Sequence, residues 1–464
     1  MTLEPATPGS LPARLDRLPG CWTVWRLVIL LSLGGMFEFY DLFLTAYLSP
    51  GLEAAGLFHK GNAGVLGLSD QAAFAAVTFA GLFVGTIAFA QVADRFGRRV
   101  IFTGSLCWYS AMTLAMAWQS SALGLDTWRF LAGIGIGVEL VTIDTYIAEL
   151  VPKRLRGRAF AVNQAVQFAA VPLVGLICAA FVPLAPLGIA GWRWVIMFGA
   201  AGALVVWRLR RALPESPRWL AQHGRLADAE LIVAAIEARA RAETRSPLPA
   251  PVAGDGEPPR AGRLGEIFRP PFRTRTAMLC VFNFFQTVGF YGFGNWVPKL
   301  IEAGGTDVIR SLQYSVAIAL AYPIGPLLCA AIADRFERKW QIVAAAIGTA
   351  GFGLLFVRQT LPAVIVALGV CITLSNNLLS YAYHAYQAEL YPTRIRARAI
   401  GFVYSWSRLS TVFTSLMIGF FLDQFGRSGV FTFIAASMGV VCLSIGIFGP
   451  RTRSLTLEEI ARHG

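Results

Sequence analysis

Charged residues are scarce in this sequence. Only 14% of its 464 residues are Asp, Glu, Lys or Arg, whereas 56% are hydrophobic. A soluble protein usually carries about 25% charged residues, so this chain lacks the polar side chains that would cover a water-facing surface. The shortage excludes a disordered chain, a collagen-like chain and a small disulfide scaffold, and it predicts a protein that crosses a membrane many times.

Paired cysteines and the common catalytic motifs are also missing. The seven cysteines stand singly, without CxxC or CxxxH spacing, which argues against a disulfide framework and against a metal site. The sequence has no GxxxxGKS or GxxxxGKT motif, and no HExxH or GxSxG motif on an apolar stretch. We therefore expect no ATP-driven step, no cofactor and no intramembrane enzyme.

Twelve apolar stretches are present, each close to the roughly 20 residues that a spanning helix needs. They cover residues 25–49, 71–93, 100–118, 125–148, 159–182, 191–210, 274–298, 311–333, 340–357, 362–387, 399–423 and 428–449. The pattern predicts an all-α membrane protein with twelve transmembrane helices and no cleaved signal peptide, since the first stretch is long enough to span and stay.

The formal net charge of +13 comes from Lys and Arg in alternate short loops, such as 95–99, 153–158, 335–339 and 394–398. This pattern sets membrane orientation and does not indicate nucleic-acid binding. It predicts that these loops and both termini are cytoplasmic.

Two motifs recur 240 residues apart. DRFGRR at 94–99 matches DRFERK at 334–339, and YIAELVP at 146–152 matches YQAELYP at 386–392. The repeat predicts two homologous six-helix halves, 1–210 and 274–450. A cytoplasmic connector, 211–273, separates them, and a tail, 451–464, follows. In the connector we expect a helix ending near Arg245, followed by a flexible Pro- and Gly-rich link.

These motifs resemble the major facilitator superfamily. The loop at 94–99 and RFLAGIGIG at 129–137 resemble its signature motifs, and PESPRWL at 214–220 resembles the sugar-porter-like branch. That branch includes organic cation and anion carriers and the synaptic-vesicle-glycoprotein-like bacterial transporters. The resemblance implies a monomeric secondary transporter that works by alternating access. The Gln-Gln pair that sugar porters carry in the seventh helix is replaced here by FFQT at 284–287, which argues against a hexose carrier.

Two carboxylates, Glu38 and Asp41, lie mid-way along the first apolar stretch and share one helical face at i,i+3 spacing. Two close carboxylates in low dielectric cannot both ionise easily, which suits proton coupling. Glu139 in the fourth stretch is a further candidate for proton coupling. Alternatively, one of the pair at 38 and 41 forms an ion pair with a neighbouring helix.

Arg408 lies about nine residues, or 13 Å, into the eleventh stretch. Its guanidinium cannot lose its proton and fits a carboxylate well, and its surroundings resemble the eleventh helix of organic-anion carriers. Alternatively it forms a fixed salt bridge to Glu38 or Asp41. The other predicted substrate-binding residues are amides and aromatics on apolar stretches: Gln164, Gln167, Asn283, Gln286, Tyr291, Trp296, Asn376, Asn377, Tyr381 and Tyr404. We expect His384, near the cytoplasmic end, to be structural.

By the same resemblance, the charged residues around the signature loops form cytoplasmic gates. We expect Glu149 to pair with Arg156 or Arg158, and Glu389 with Arg396 or Arg398. The full predicted set is Asp94, Arg98, Asp144, Glu149, Arg156, Asp334, Arg338, Glu389 and Arg396.

The expected function is proton-coupled transport of a small organic anion, such as nicotinate or benzoate, across a bacterial inner membrane. Three alternatives remain open. An organic cation carrier would use Glu38, Asp41 or Glu139 as its counter-ion, and a sugar–proton symporter would fit the motif at 214–220. A sensor that does not transport would usually carry a cytoplasmic signalling extension, which the short tail does not offer.

Overall fold

The computed structural model describes residues 10–59, 69–96, 98–210, 213–251, 263–332 and 335–452. Regular structure within these ranges is helical. The α-helices are α1 (Ser10–Asp16), α2 (Trp22–Ala54), α3 (Asp70–Phe96), α4 (Arg98–Met116), α5 (Ala122–Leu150), α6 (Lys153–Phe168), α7 (Ala170–Phe181), α8 (Gly191–Arg210), α9 (Pro217–Gln222), α10 (Leu226–Thr244), α11 (Phe272–Gly294), α12 (Val297–Glu302), α13 (Val308–Ala319), α14 (Ala321–Ile332), α15 (Arg338–Val357), α16 (Pro362–Glu389) and α17 (Thr393–Phe448).

Twelve membrane crossings can be traced through the described ranges. In the first half they are α2, α3, α4, α5, the pair α6–α7, and α8. In the second half α11–α12, α13–α14, α15 and α16 give four, and α17 is long enough for two. Gly426 interrupts α17 with φ 63° and ψ −165°, a conformation open only to glycine. The predicted all-α architecture is confirmed, and the helices extend up to six residues beyond the apolar stretches.

Prolines account for two of the helix breaks. The break between α6 and α7 falls at Ala169, three residues before Pro172, and the break between α13 and α14 falls at Leu320, three residues before Pro323. Proline removes one backbone hydrogen bond and crowds the preceding turn, so each helix bends there. These bends shape the interior faces of the two crossings.

Glycines allow α3 and α5 to approach closely. A Cβ at Gly81 would lie 2.2 Å from the carbonyl oxygen of Phe130, and one at Gly137 would lie 2.2 Å from that of Leu82. Small residues that let backbones touch are the usual means of packing helices in membranes. The two helices therefore pack backbone against backbone.

Equivalent residues of the two halves form equivalent hydrogen bonds, each within its own half. Nε of Arg156 donates to the carbonyl of Val151 at 3.0 Å, and Nε of Arg396, 240 residues later, donates to that of Tyr391 at 3.1 Å. Tyr146 and Tyr386 likewise each donate to a proline carbonyl beyond the last helix of their own half, at Pro214 and Pro450. The halves meet where α3 packs on α17 and α6 packs on α14.

The connector packs against the first half through α10 and the N-terminal helix α1. Leu11 and Leu15 of α1 are buried in a cluster with Val233 of α10. Arg14 and Arg17 both donate to the carboxylate of Glu237. The predicted connector helix ends at Thr244, with Arg245 as its left-handed cap at φ 52°.

Candidate functional site

A fully buried ion pair occupies the centre of the first half. Nη1 of Arg129, on α5, donates to Oδ2 of Asp41, on α2, at 2.9 Å. Nη2 also donates to the Asp41 carbonyl and to Thr45, and Nε donates to Thr78 at 2.9 Å. Arg129 is 0% exposed and Asp41 3%. A buried pair persists only when its remaining hydrogen-bonding groups are satisfied, and here nearly every donor is used.

The ion pair with Arg129 shows which of two predicted partners Asp41 has. The sequence left open whether this carboxylate pairs with a neighbouring helix or with Arg408 across the halves. Its partner is Arg129 of its own half. Glu38 lies one turn earlier on α2 and is also fully buried. Glu139 belongs to α5, but its side chain lies outside the described part of the structure.

Arg408 lies in the other half, surrounded by aromatic hydroxyls. It is 8% exposed, and Nη2 donates to the hydroxyl of Tyr404 at 3.3 Å. The guanidinium carbon lies 5.0 Å from the centre of the Tyr404 ring. Tyr291 of α11 and Tyr383 of α16 also interact with the charge. Three helices therefore converge on one cation.

No carboxylate accompanies that cation. Across the residues whose side chains are described, Arg408 forms no ion pair, and its Nε is buried without a hydrogen-bond partner. The predicted bridge from Arg408 to Glu38 or Asp41 is not formed in this conformation. A buried cation without a counter-ion costs free energy unless an anion or water reaches it.

Some predicted binding residues lie beside Arg408. Tyr291 and Tyr404 contact it directly, and Gln286 donates to the hydroxyl of Ser407, the neighbouring residue on α17, at 3.3 Å. Tyr291 also packs edge-on against Phe79 of α3, with ring centres 4.9 Å apart. The site therefore borders the first half.

Other predicted residues serve the packing of the helices. The Asn376 amide donates to the Gly289 carbonyl at 3.1 Å, and the Asn377 amide lies 3.4 Å from two carbonyls of the eighth crossing. Asn283 donates within α11 to Leu279. Trp296 is 1% exposed. In the described structure these amides are used in helix contacts.

For three further predicted substrate-binding residues, the described structure shows no contact with Arg408. Gln167 packs over Gly35, where a Cβ would lie 2.3 Å from its amide nitrogen. Gln164 and Tyr381 are half-buried on α6 and α16.

At the helix ends opposite the Lys- and Arg-rich loops, here called the external end, the halves are in contact. Nζ of Lys299 on α12 lies 2.5 Å from Oε1 of Glu53 on α2. Deeper in, the rings of Phe43 and Tyr322 from opposite halves lie 5.4 Å apart, and those of Phe168 and Phe290 lie 6.0 Å apart. The two halves are therefore closed against each other at this end.

The predicted cytoplasmic gate is only partly described. Asp334 and the side chains of Asp94, Arg98 and Asp144 lie outside the described structure. Among the rest, Glu389 pairs with Arg338 of the DRFERK motif, so the expected pairing with Arg396 or Arg398 is wrong. Arg156 reaches Asp16 at 3.6 Å, while both Arg156 and Arg396 hold backbone carbonyls. Arg156 and Arg396 therefore fix the chain at the ends of α5 and α16.

Sequence reasoning missed Arg129, Lys299 and Tyr383. Arg129 is a charge within an apolar stretch, and the need of such a charge for a partner is the signal that could have identified it. Lys299 and Tyr383 carry no comparable signal, because their importance depends on which helices meet.

Comparisons with known proteins agree with this architecture. The chain matches the family model described as Sugar (and other) transporter over residues 27–463. It is 32% identical to a putative metabolite transport protein, YyaJ, of Bacillus subtilis, over 95% of both chains. It is 25% identical to the niacin transporter NiaP of Acinetobacter baylyi, over 97% of this chain and 99% of that one.

Among solved structures, the inward-open xylose transporter XylE of E. coli aligns with a TM-score of 0.72 at 19% identity, over 95% of this chain and 99% of that one. This likeness concerns the fold. Together with the family match over nearly the whole chain, it identifies a multi-pass membrane transporter and not an enzyme. The chain belongs to the sugar (and other) transporter family of the major facilitator superfamily.

Proposed function

We propose that this protein is a proton-coupled transporter of a small organic anion, with an aromatic monocarboxylate of the nicotinate or benzoate type as its substrate. It would act in a bacterial inner membrane with both termini in the cytoplasm. The observation that carries the proposal is the buried guanidinium of Arg408, which forms no ion pair with any residue whose side chain the structure describes.

An anion is the ligand that this site lacks. Arg408 presents a planar fork that matches a carboxylate, and the tyrosines around it offer ring faces and edges. Such surroundings suit a flat aromatic ring better than a flexible polyol, which needs many hydrogen-bonding groups. The niacin transporter among the relatives supports the same class of substrate.

Proton coupling is assigned to Asp41 with Arg129. Arg129 can neutralise the carboxylate in the bilayer interior, but it has further acceptors in Thr45 and Thr78. When the halves move, a proton can replace Arg129 as the charge that neutralises Asp41. Arg129 then keeps its hydrogen bonds to Thr45 and Thr78. One protonation step then accompanies each change of access.

The test compares three variants in binding and uptake. Arg408→Gln should abolish stabilisation by benzoate and nicotinate in a thermal-shift measurement, and Arg408→Lys should weaken it, because Lys keeps the charge but loses the fork. Arg275→Gln is the matched control, since Arg275 is a buried arginine of α11 that binds the Leu390 carbonyl. Uptake of radiolabelled benzoate into proteoliposomes should require an inward proton gradient.

Stabilisation by organic cations that survives Arg408→Gln would overturn the anion assignment. It would make one of the carboxylates at 38, 41 and 139 the counter-ion. Stabilisation by sugars alone would favour the sugar–proton symporter.

A further inference from the structure

His384 is an exposed residue on a membrane crossing of the second half. It lies on α16, five residues before the helix ends, and its side chain is exposed. Its ring nevertheless lies against two tyrosines. The ring centre of Tyr383 is 4.1 Å away, and that of Tyr404 is 5.8 Å away. Because both tyrosines also interact with Arg408, we infer that the exposed part of the ring opens into the space beside Arg408, here called the cavity.

The hydrogen bond on one side of the imidazole fixes what the other side can do. Nδ1 lies 2.7 Å from the carbonyl oxygen of Ser380. A carbonyl only accepts, so Nδ1 carries the hydrogen, and in the neutral ring Nε2 must then be an acceptor.

Nε2 has no hydrogen-bond partner among the described residues. His384 makes its polar contact through Nδ1, and its remaining contacts are the two ring packings. The exposed face of the imidazole therefore presents an unused acceptor to the cavity.

Arg408 and His384 share Tyr404 as a common neighbour. The guanidinium carbon lies 5.0 Å from the Tyr404 ring centre, and the imidazole centre lies 5.8 Å from it. Both groups therefore pack beside the same ring, that of Tyr404. One offers a cationic fork, and the other offers a neutral acceptor.

We propose that His384 is a second substrate-binding residue, and that the site selects aromatic carboxylates that also carry a hydrogen-bond donor, such as a ring hydroxyl. The inference rests on the proposed function, because it needs the carboxylate on Arg408. The hydroxyl donates its hydrogen to Nε2. A methyl group in its place leaves Nε2 unpaired, and a pyridine nitrogen in its place sets two acceptors against each other, and both cost binding free energy.

The experiment measures the affinities of purified full-length protein for matched ligands by calorimetry. The ligands are 3- and 4-hydroxybenzoate, the 3- and 4-methylbenzoates of nearly the same shape, benzoate and nicotinate. The proteins are wild type, His384→Leu, which lacks the acceptor, and His384→Gln, which restores an acceptor oxygen. Thermal unfolding confirms that each variant is folded.

His223→Leu is the control variant. His223 has the same local arrangement, with Nδ1 3.0 Å from the carbonyl four residues earlier and its ring stacked on Trp219 at 4.2 Å. It belongs to the connector, away from the cavity. Its removal should leave every affinity unchanged.

For one hydroxyl isomer, wild type should bind the hydroxybenzoate about tenfold more tightly than its methyl analogue, as one neutral hydrogen bond allows. His384→Leu should reduce this ratio to near one while benzoate affinity is kept, and His384→Gln should restore part of it. An equal ratio in wild type and His384→Leu, or no hydroxyl preference in wild type, would overturn the inference and leave the proposed function standing. If no aromatic carboxylate binds wild type, the proposed function fails, and the inference fails with it.

Discussion

Nζ of Lys299 lies 2.5 Å from Oε1 of Glu53 and joins the two halves at the external end. Lys299 also reaches Glu302 of its own half, at 3.5 Å. The side chains of Lys299 and Glu53 are 21% and 11% exposed, so this ion pair is partly exposed to solvent. It can form only when the external ends of the halves are together.

We expect Glu53→Gln to shift the protein toward conformations that are open at the external end. A partly exposed ion pair is worth about 1 kcal/mol at most, so the open population should rise by about fivefold or less. Distances between spin labels on the external ends of the two halves measure this shift. The exposed pair Arg310–Asp307 lies within one half, and Asp307→Asn should leave the distances unchanged.

Charge reversal tests whether the pair itself matters. The double variant Glu53→Lys, Lys299→Glu should recover the closed population. If Glu53→Gln alone leaves the distance distribution as it was, the pair does not hold the external end closed.

Arg129→Gln and Asp41→Asn should each destabilise the protein by about 3–5 kcal/mol. Each change removes one partner of the buried pair and leaves the other charge uncompensated. Combining the two should restore much of the loss. Thermal unfolding in one detergent measures all three variants.

Asp41→Asn should also separate exchange from accumulation. Substrate counterflow needs only the movement of the halves, so it should persist, and uptake driven by a proton gradient should be lost. Asp126 is a buried aspartate on α5 outside the pair, and Asp126→Asn should retain both activities. Gradient-driven uptake by Asp41→Asn would show that the proton binds elsewhere.

The docking of α1 on α10 should weaken in acid. Burial would raise the pKa of the Glu237 carboxyl, but hydrogen bonds from Arg14 and Arg17 outweigh it and hold this pKa below its ordinary value. A depressed carboxylate pKa stabilises the folded state fully above the ordinary value of about 4.3, and this contribution is lost as pH falls below it. Hydrogen exchange of α1, corrected for intrinsic rates, should rise in that range.

Glu237→Gln should give the fast exchange of α1 at neutral pH and remove its dependence on pH. Asp228→Asn is the control, because Asp228 forms an exposed pair with Arg225 on the same helix. Unchanged exchange of α1 in Glu237→Gln would mean that its buried leucines hold it without the ion pairs.

Gly81→Ala should destabilise the first half by about 1–3 kcal/mol, because the new methyl group meets the Phe130 carbonyl. Gly439→Ala is the matched change, since nothing lies within 4 Å of a Cβ at that helical glycine. It should be neutral or stabilising by about 1 kcal/mol. Equal melting temperatures for the two variants would contradict the close approach of α3 and α5.

The helices were predictable because a membrane crossing needs a long apolar run, and the repeat at 94 and 334 identified the two halves. The importance of Arg408 was predictable from sequence because a charge within such an apolar run needs a partner or water. The partners of these residues were not predictable. Asp41 had candidate cations on several helices, and only the fold selects Arg129. Asn376 and Asn377 look the same in sequence whether they bind a ligand or a backbone carbonyl.

The repeat that relates the halves at an offset of 240 places Phe168 and Arg408 at equivalent positions. Phe168 packs between Phe39 and Tyr322, whereas Arg408 lies among tyrosine hydroxyls and has no counter-ion among the described side chains. The same position of the repeat therefore holds an aromatic ring in the first half and a fixed positive charge in the second. Under the proposed function, a substitution at this one position can therefore change the charge of the transported substrate while the helices that move remain the same.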